Sequence, residues 1–161
     1  MTDTQPDLAA LLCSRLCHDL LSPVGAMNNG IELMADEQDP DMRARCLELL
    51  ADSAKAAADK LKFFRLAFGA AGGFGAEVDP AEAREAINSL VTGNGRTQLE
   101  WMVPAAHLPK GAVKIMLNLI YIANEALLRG GVVNVAAERN GGTTEIVVRA
   151  EGPRLVMDAN I

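Results

Sequence analysis

The stretch LCHDLLSPVGAMNNG (16–30) decides how this chain is read. Apolar residues recur around it at helical spacing: Leu8, Leu12, Leu16, Leu20, Met27, Ile31 and Met34. That periodicity predicts one long helix, capped by Asp7 and running to about Ala35. Pro23 lies inside it, at a cost of roughly 3 kcal/mol and one backbone hydrogen bond. The lost bond is the one that residue 23 would have made to the carbonyl of Asp19, so a main-chain acceptor is freed immediately beyond His18.

Helical arithmetic puts His18 on the side away from the apolar stripe. Steps of three or four residues from it reach Leu11, Ser14, Arg15, Ser22, Gly25 and Asn29, which are polar or small apart from the leucine. This predicts an exposed imidazole with little side-chain bulk over its C-terminal side, open to a partner's active site. A neutral, exposed imidazole is a nucleophile. Asp19 can orient the ring or hold its proton, and Arg15, one turn earlier, can offset charge on a transferred phosphoryl group. On spacing alone, an ordinary surface histidine is the alternative.

DEQDPD (36–41) is a polar turn, with Asp39 as N-cap and Pro40 as first residue of a second helix. Cys46, Leu47, Leu50, Ala54, Ala57, Leu61, Phe64 and Phe68 form its stripe, and the small residues of ADSAKAAADK (51–60) admit a close neighbour. Two antiparallel helices cannot enclose a core, so the stripes predict a homodimer in which two hairpins make a four-helix bundle. Lys60, Lys62 and Arg65 come late in the second helix, level with the early part of the first. They join Ser14, Ser22, Gly25 and Asn29 as candidates for docking an acidic partner, a solvated charged face being the alternative.

GAAGGFGAEVDP (69–80) reads as a linker, with Phe74 available to anchor it. Beyond it the pattern alternates. A helix starts at Asp79 and Pro80 and runs to Thr92, TQLEWMV (97–103) is a strand with Trp101 in its core, and a long helix spans Leu108 to Leu128. VVNVAAE and TEIVVRA form a hairpin across residues 139–142. The expected fold is α+β: a helical hairpin domain (1–72), then a small α/β sandwich (76–161) with a mixed sheet and helices on one face.

A net charge of −6 over 161 residues argues against nucleic acid as a partner. The short polar start and the lack of any apolar run near ~20 residues argue against a signal peptide or membrane contact. Three cysteines, Cys13, Cys17 and Cys46, read as reduced, buried thiols of a cytoplasmic protein. They do not make a metal site with His18, because Cys13 and Cys17 share the core-side face and Cys17 and His18 project about 100° apart. GAAGGFG lacks the Lys-Ser/Thr of a phosphate loop, so no cofactor motif is expected there.

HDLLSP (18–23) resembles the H-box in the dimerisation and phosphoacceptor helices of sensor histidine kinases. The longer string LCSRLCHDLLSPVGAMNNGIELM (12–34) closely resembles the ChpT-type histidine phosphotransferases of bacterial cell-cycle phosphorelays, and the likeness runs over essentially the whole chain. It implies that His18 carries the phosphoryl group. LNLIYIANEAL (117–127) is similar to the kinase N-box, but aligned on Asn118 it has Ile122 where kinases place a metal-binding asparagine. VVRAEGPRL (147–155) lies where kinases carry Asp-x-Gly-x-Gly; Gly152 and Pro153 persist, while Ala150 replaces the adenine-binding aspartate and Arg154 the second glycine.

An isoleucine offers magnesium no oxygen. The resemblance therefore implies a degenerate kinase lobe, and a phosphotransferase with no ATP-dependent kinase activity of its own. Phosphoryl groups would pass between receiver-domain aspartates through a phosphohistidine at His18, with Mg²⁺ supplied by the receiver. A hybrid kinase's receiver would be the donor and downstream response regulators the acceptors. Two rivals stand beside this reading: a non-catalytic dimeric adaptor that keeps the hairpin as a scaffold, and an active kinase fragment, against which Ile122 and Ala150 weigh.

Overall fold

The computed structural model describes residues 8–69, 77–93 and 95–156. The expected cap Asp7 and the linker's Phe74 lie outside them. Contacts divide the chain between Leu61 and Lys62 into two units.

The first unit is a helical hairpin, α1 (Leu8–Asp36) and most of α2 (Pro40–Phe68). α1 passes through Pro23 as one helix. At the turn, the Asp39 carboxylate accepts from the backbone N–H of Asp41 at 2.8 Å and of Met42 at 3.3 Å, so α2 is capped as its sequence predicts. Arg43 donates to the carbonyls of Met34 at 3.1 Å and Glu37 at 2.9 Å, satisfying acceptors that the end of α1 leaves without helical partners.

The inner residues of the hairpin follow alternating steps of four and three. On α1 they include Leu16, Leu20, Pro23, Met27, Gly30 and Met34; on α2 they include Cys46, Leu50, Ser53, Ala57 and Lys60. This is a coiled-coil seam. The helices pack tightly at Gly30, where a Cβ would sit 3.1 Å from the Leu50 side chain.

The seam is narrower than the predicted stripes. Ile31 is 60 % exposed, and Leu47, Ala54 and Leu61 are exposed as well. Two helices meet along one line only, so stripe residues off that line stay largely open to solvent among the described residues of the unit. Cys46 is buried as expected, but Cys13 and Cys17 are exposed. Cys17 projects about 100° from the seam residue Leu16. Cys13 lies in the first turns of α1, where most described residues face solvent.

The second unit opens with residues 62–68 of α2, where Phe63 is fully buried and stacks on Tyr121 at 5.1 Å between centroids. α3 (Pro80–Thr92) starts at Asp79, whose carboxylate accepts from the Ala81 N–H at 2.8 Å. A sheet of β2 (Thr97–Met102), β4 (Gly131–Asn140) and β5 (Thr143–Glu151) runs in the order β2-β4-β5, with β2 parallel and β5 antiparallel to β4. α3 and α4 (Lys110–Ala126) cover it, burying Ile87, Val91, Met116, Ile120, Val133 and Val135 completely. Trp101 pairs with Val135 but is only half-buried, because β2 is an edge strand.

One ladder was not foreseen. β1 (Glu77–Val78) lies within the predicted linker and pairs antiparallel with β3 (Leu108–Pro109), where the last helix was expected to begin. Two-residue strands are too short to show a period of two. Their burial comes from pairing, which leaves Leu108 with no exposed surface.

Gly131 begins β4 with φ of 150°, and a Cβ there would stand 2.1 Å from the Glu151 carbonyl oxygen. Gly131→Ala should therefore lower the urea-unfolding free energy by at least about 2 kcal/mol. Gly142→Ala, whose new methyl meets nothing within 4 Å, should change it by no more than about 0.5 kcal/mol.

Candidate functional site

His18 stands on α1 with 82 % of its side chain exposed. The neighbouring Asp19 is the opposite, with its side chain only 11 % exposed. Its two oxygens serve two partners: Oδ1 lies 3.3 Å from His18 Nδ1, and Oδ2 lies 3.3 Å from Arg15 Nε. Both distances are at the long end for hydrogen bonds, but both contacts use one carboxylate. With a proton on Nδ1 donated to Asp19, the ring's lone pair sits on Nε2, across the ring from the carboxylate. The predicted trio of His18, Asp19 and Arg15 is thus brought together within two turns of one helix.

The main chain of Asp19 is held as well. Pro23 has no N–H for its carbonyl, and the donor comes instead from the other helix: Lys60 Nζ donates to Asp19 O at 2.8 Å from a half-buried position. A hydrogen bond from a charged donor contributes about 1.5–3 kcal/mol, enough to offset much of the penalty of an internal proline. Lys60 was expected at this level as a docking cation. What spacing alone does not show is that its ammonium is turned inward onto a backbone oxygen.

The other docking candidates separate into two sets. Ser14, Ser22 and Asn29 are exposed on α1, and the position of a Cβ on Gly25 has nothing within 4 Å. Lys62 and Arg65 instead pair with α3 in the second unit, Lys62 Nζ to Glu85 at 3.4 Å and Arg65 to Glu82 at 3.3 Å. Such exposed pairs are worth little energetically.

The second unit carries its own cleft, a groove of about 550 Å³ between α4 and β5. Ile122 and Ala150, the two residues that the sequence resemblance sets at kinase ligand positions, both line it, among Leu119, Ala126, Ile146 and Leu155. Among the described residues its lining side chains are all apolar. Phosphate oxygens need hydrogen-bond donors and Mg²⁺ needs oxygen ligands, so this lining does not fit a nucleotide. Asn118 does not face a ligand either: its side-chain amide donates to the Lys114 carbonyl one turn back at 2.8 Å. Among the described residues no group of His, Cys, Asp and Glu is arranged to hold a metal, and no helix is long and apolar enough to cross a membrane.

Three comparisons bear on this arrangement. The family model for the histidine phosphotransferase C-terminal domain matches residues 80–161, the part that begins with α3. The protein phosphotransferase ChpT of Brucella abortus (strain 2308) is 40 % identical over 149 residues, covering 92 % of this chain and 69 % of that protein. A solved bacterial phosphotransferase superposes with a TM-score of 0.82 at 35 % identity, over 98 % of this chain and 74 % of its own. The histidine kinase AdeS of Acinetobacter baumannii gives a TM-score of 0.46 at 12 % identity, too loose a likeness to bear weight.

The hydrogen bond to Asp19 should be visible in the ring itself. In ¹⁵N spectra the neutral His18 imidazole should carry its proton on Nδ1, and Asp19→Ala should raise the share of the Nε2–H tautomer. An unchanged tautomer ratio in that variant would mean that the carboxylate does not orient the ring.

Proposed function

Because the chain belongs to the histidine phosphotransferase family, we propose that His18 is its phosphoacceptor and that it relays a phosphoryl group between the aspartates of receiver domains. The observation that carries this reading is the outward imidazole whose Nδ1 is held by a half-buried carboxylate. The Nε2 lone pair attacks phosphorus in a receiver's aspartyl phosphate. The P–N bond forms as the P–O bond to the aspartate breaks, and the carboxylate leaves with that electron pair. Positive charge arising on the ring is relieved through the Nδ1 proton, which Asp19 accepts. Attack by a second receiver's aspartate on the phosphohistidine runs the same step backwards.

Arg15 sits close enough to Asp19 to balance its charge and, by turning outward, to meet phosphoryl oxygens. The receiver brings Mg²⁺, which neutralises those oxygens during transfer. Ser14, Ser22, Gly25 and Asn29 form the docking face. Their small size lets a receiver's active site come down over the ring. The apolar groove of the second unit supports a lobe that has given up ATP, so the phosphoryl donor is another protein. That donor is a hybrid kinase's receiver and the acceptors are downstream response regulators, all in the cytoplasm.

The hairpin's surplus apolar surface supports a homodimer. Val24 is 41 % and Ile31 60 % exposed on one side of α1, and Leu47 and Leu61 are exposed together on one side of α2. A second hairpin would cover such residues in a four-helix bundle. The phosphoacceptor domain then spans 1–72 and the degenerate lobe 76–161. Sedimentation should give twice the 17.1 kDa chain mass, and Val24→Glu with Ile31→Glu should yield monomers.

Transfer from a radiolabelled phospho-receiver tests the central claim. Wild type should take up an acid-labile, alkali-stable label, His18→Ala none, and ATP alone should label neither. Undiminished label on His18→Ala would overturn the assignment.

A further inference from the structure

We propose that Lys60 is a positioning residue for His18: its ammonium replaces the amide hydrogen that Pro23 lacks and so couples α2 to the orientation of the phosphoacceptor ring. The proposal rests on the reading of His18 as phosphoacceptor. It arises from Asp19, which is held at both ends. Its carboxylate contacts the ring at 3.3 Å, and its carbonyl accepts from Lys60 at 2.8 Å.

In an uninterrupted helix the direction of each carbonyl is set by the N–H four residues on. At Asp19 that residue is Pro23, which is buried in the seam and has no hydrogen to give. A carbonyl without a donor tilts outward toward water and turns its peptide plane with it. Such a tilt at Asp19 would turn the Cα–Cβ bond that aims the carboxylate, and the carboxylate aims the imidazole. The Lys60 ammonium prevents it from across the hairpin, half-buried, where water competes less for the bond. A lysine suits the task because its charge is a compact point at the end of a flexible stem. The ammonium is therefore committed to the backbone beside the histidine, not offered to the partner.

This makes an unusual demand: removing Pro23 should make Lys60 dispensable. Pro23→Ala returns an amide donor to the helix, and alanine is the strongest helix former. Lys60→Met keeps the apolar stem and removes the donor, while Lys60→Arg keeps a donor. In transfer from a labelled phospho-receiver, Lys60→Met should slow labelling of His18 about tenfold, and Lys60→Arg should stay within about threefold of wild type. In the Pro23→Ala background, Lys60→Met should change the rate less than about twofold. Equal slowing in both backgrounds, or no slowing with proline present, would overturn the proposal.

If wild type takes no label, the phosphoacceptor reading fails, and the coupling is then read without transfer. Lys60→Met should lower the urea midpoint and mix the His18 tautomers when residue 23 is proline, and do neither in the Pro23→Ala background. The same change in both backgrounds would overturn it.

Discussion

A proline ring inside a helix leaves the carbonyl four residues earlier without its natural donor, and in α1 that carbonyl belongs to Asp19. The hairpin supplies the missing donor from its other strand of helix, through Lys60. A similar tie exists at the turn, where Arg43 donates to the last carbonyls of α1. Both cations sit on α2 and both acceptors are main-chain oxygens of α1. Between these two ties runs a seam only one residue wide, with Gly30 against Leu50 near its middle. A helix pair pinned at two levels has little freedom to slide, so it can hold a reactive side chain in place without enclosing it.

The narrow seam also explains how one small hairpin can present two different surfaces. Seam positions take up a single line on each helix, and everything else faces outward. One outward face of α1 carries His18 among small and polar residues. Another side carries Val24 and Ile31, about 120–140° round the helix, whose exposure is costly unless another apolar surface covers it. Rotation about the helix axis thus sets Val24 and Ile31 apart from His18, while Leu21 and Leu33 flank it at about 60° on either side.

In the second unit the open groove between α4 and β5 has an apolar character. Ile122 on α4 and Ala150 on β5 face one groove, and neither offers a donor, an acceptor or a metal ligand. Such a lining rewards contact with apolar groups and penalises charged ones. The proposed phosphoacceptor lies instead on the hairpin, whose exposed imidazole has the polar surroundings that this groove lacks.

Much of this could be read from residues close together in the chain. The helix spans, the caps at Asp39 and Asp79, the exposed His18 and the amide hydrogen that Pro23 withholds from the Asp19 carbonyl all follow from spacing within a few turns, because helical periodicity and capping are local properties. What tertiary structure alone decided is which distant group answers each local need. It turned Lys60 onto Asp19, drew Lys62 and Arg65 to Glu85 and Glu82, set Ile122 beside Ala150, paired Glu77–Val78 with Leu108–Pro109, and left Cys13 and Cys17 exposed. The reason is physical: a side chain's own pattern states what it can bond or bury, but its partner depends on which segments the packing of helices and strands brings to the same level.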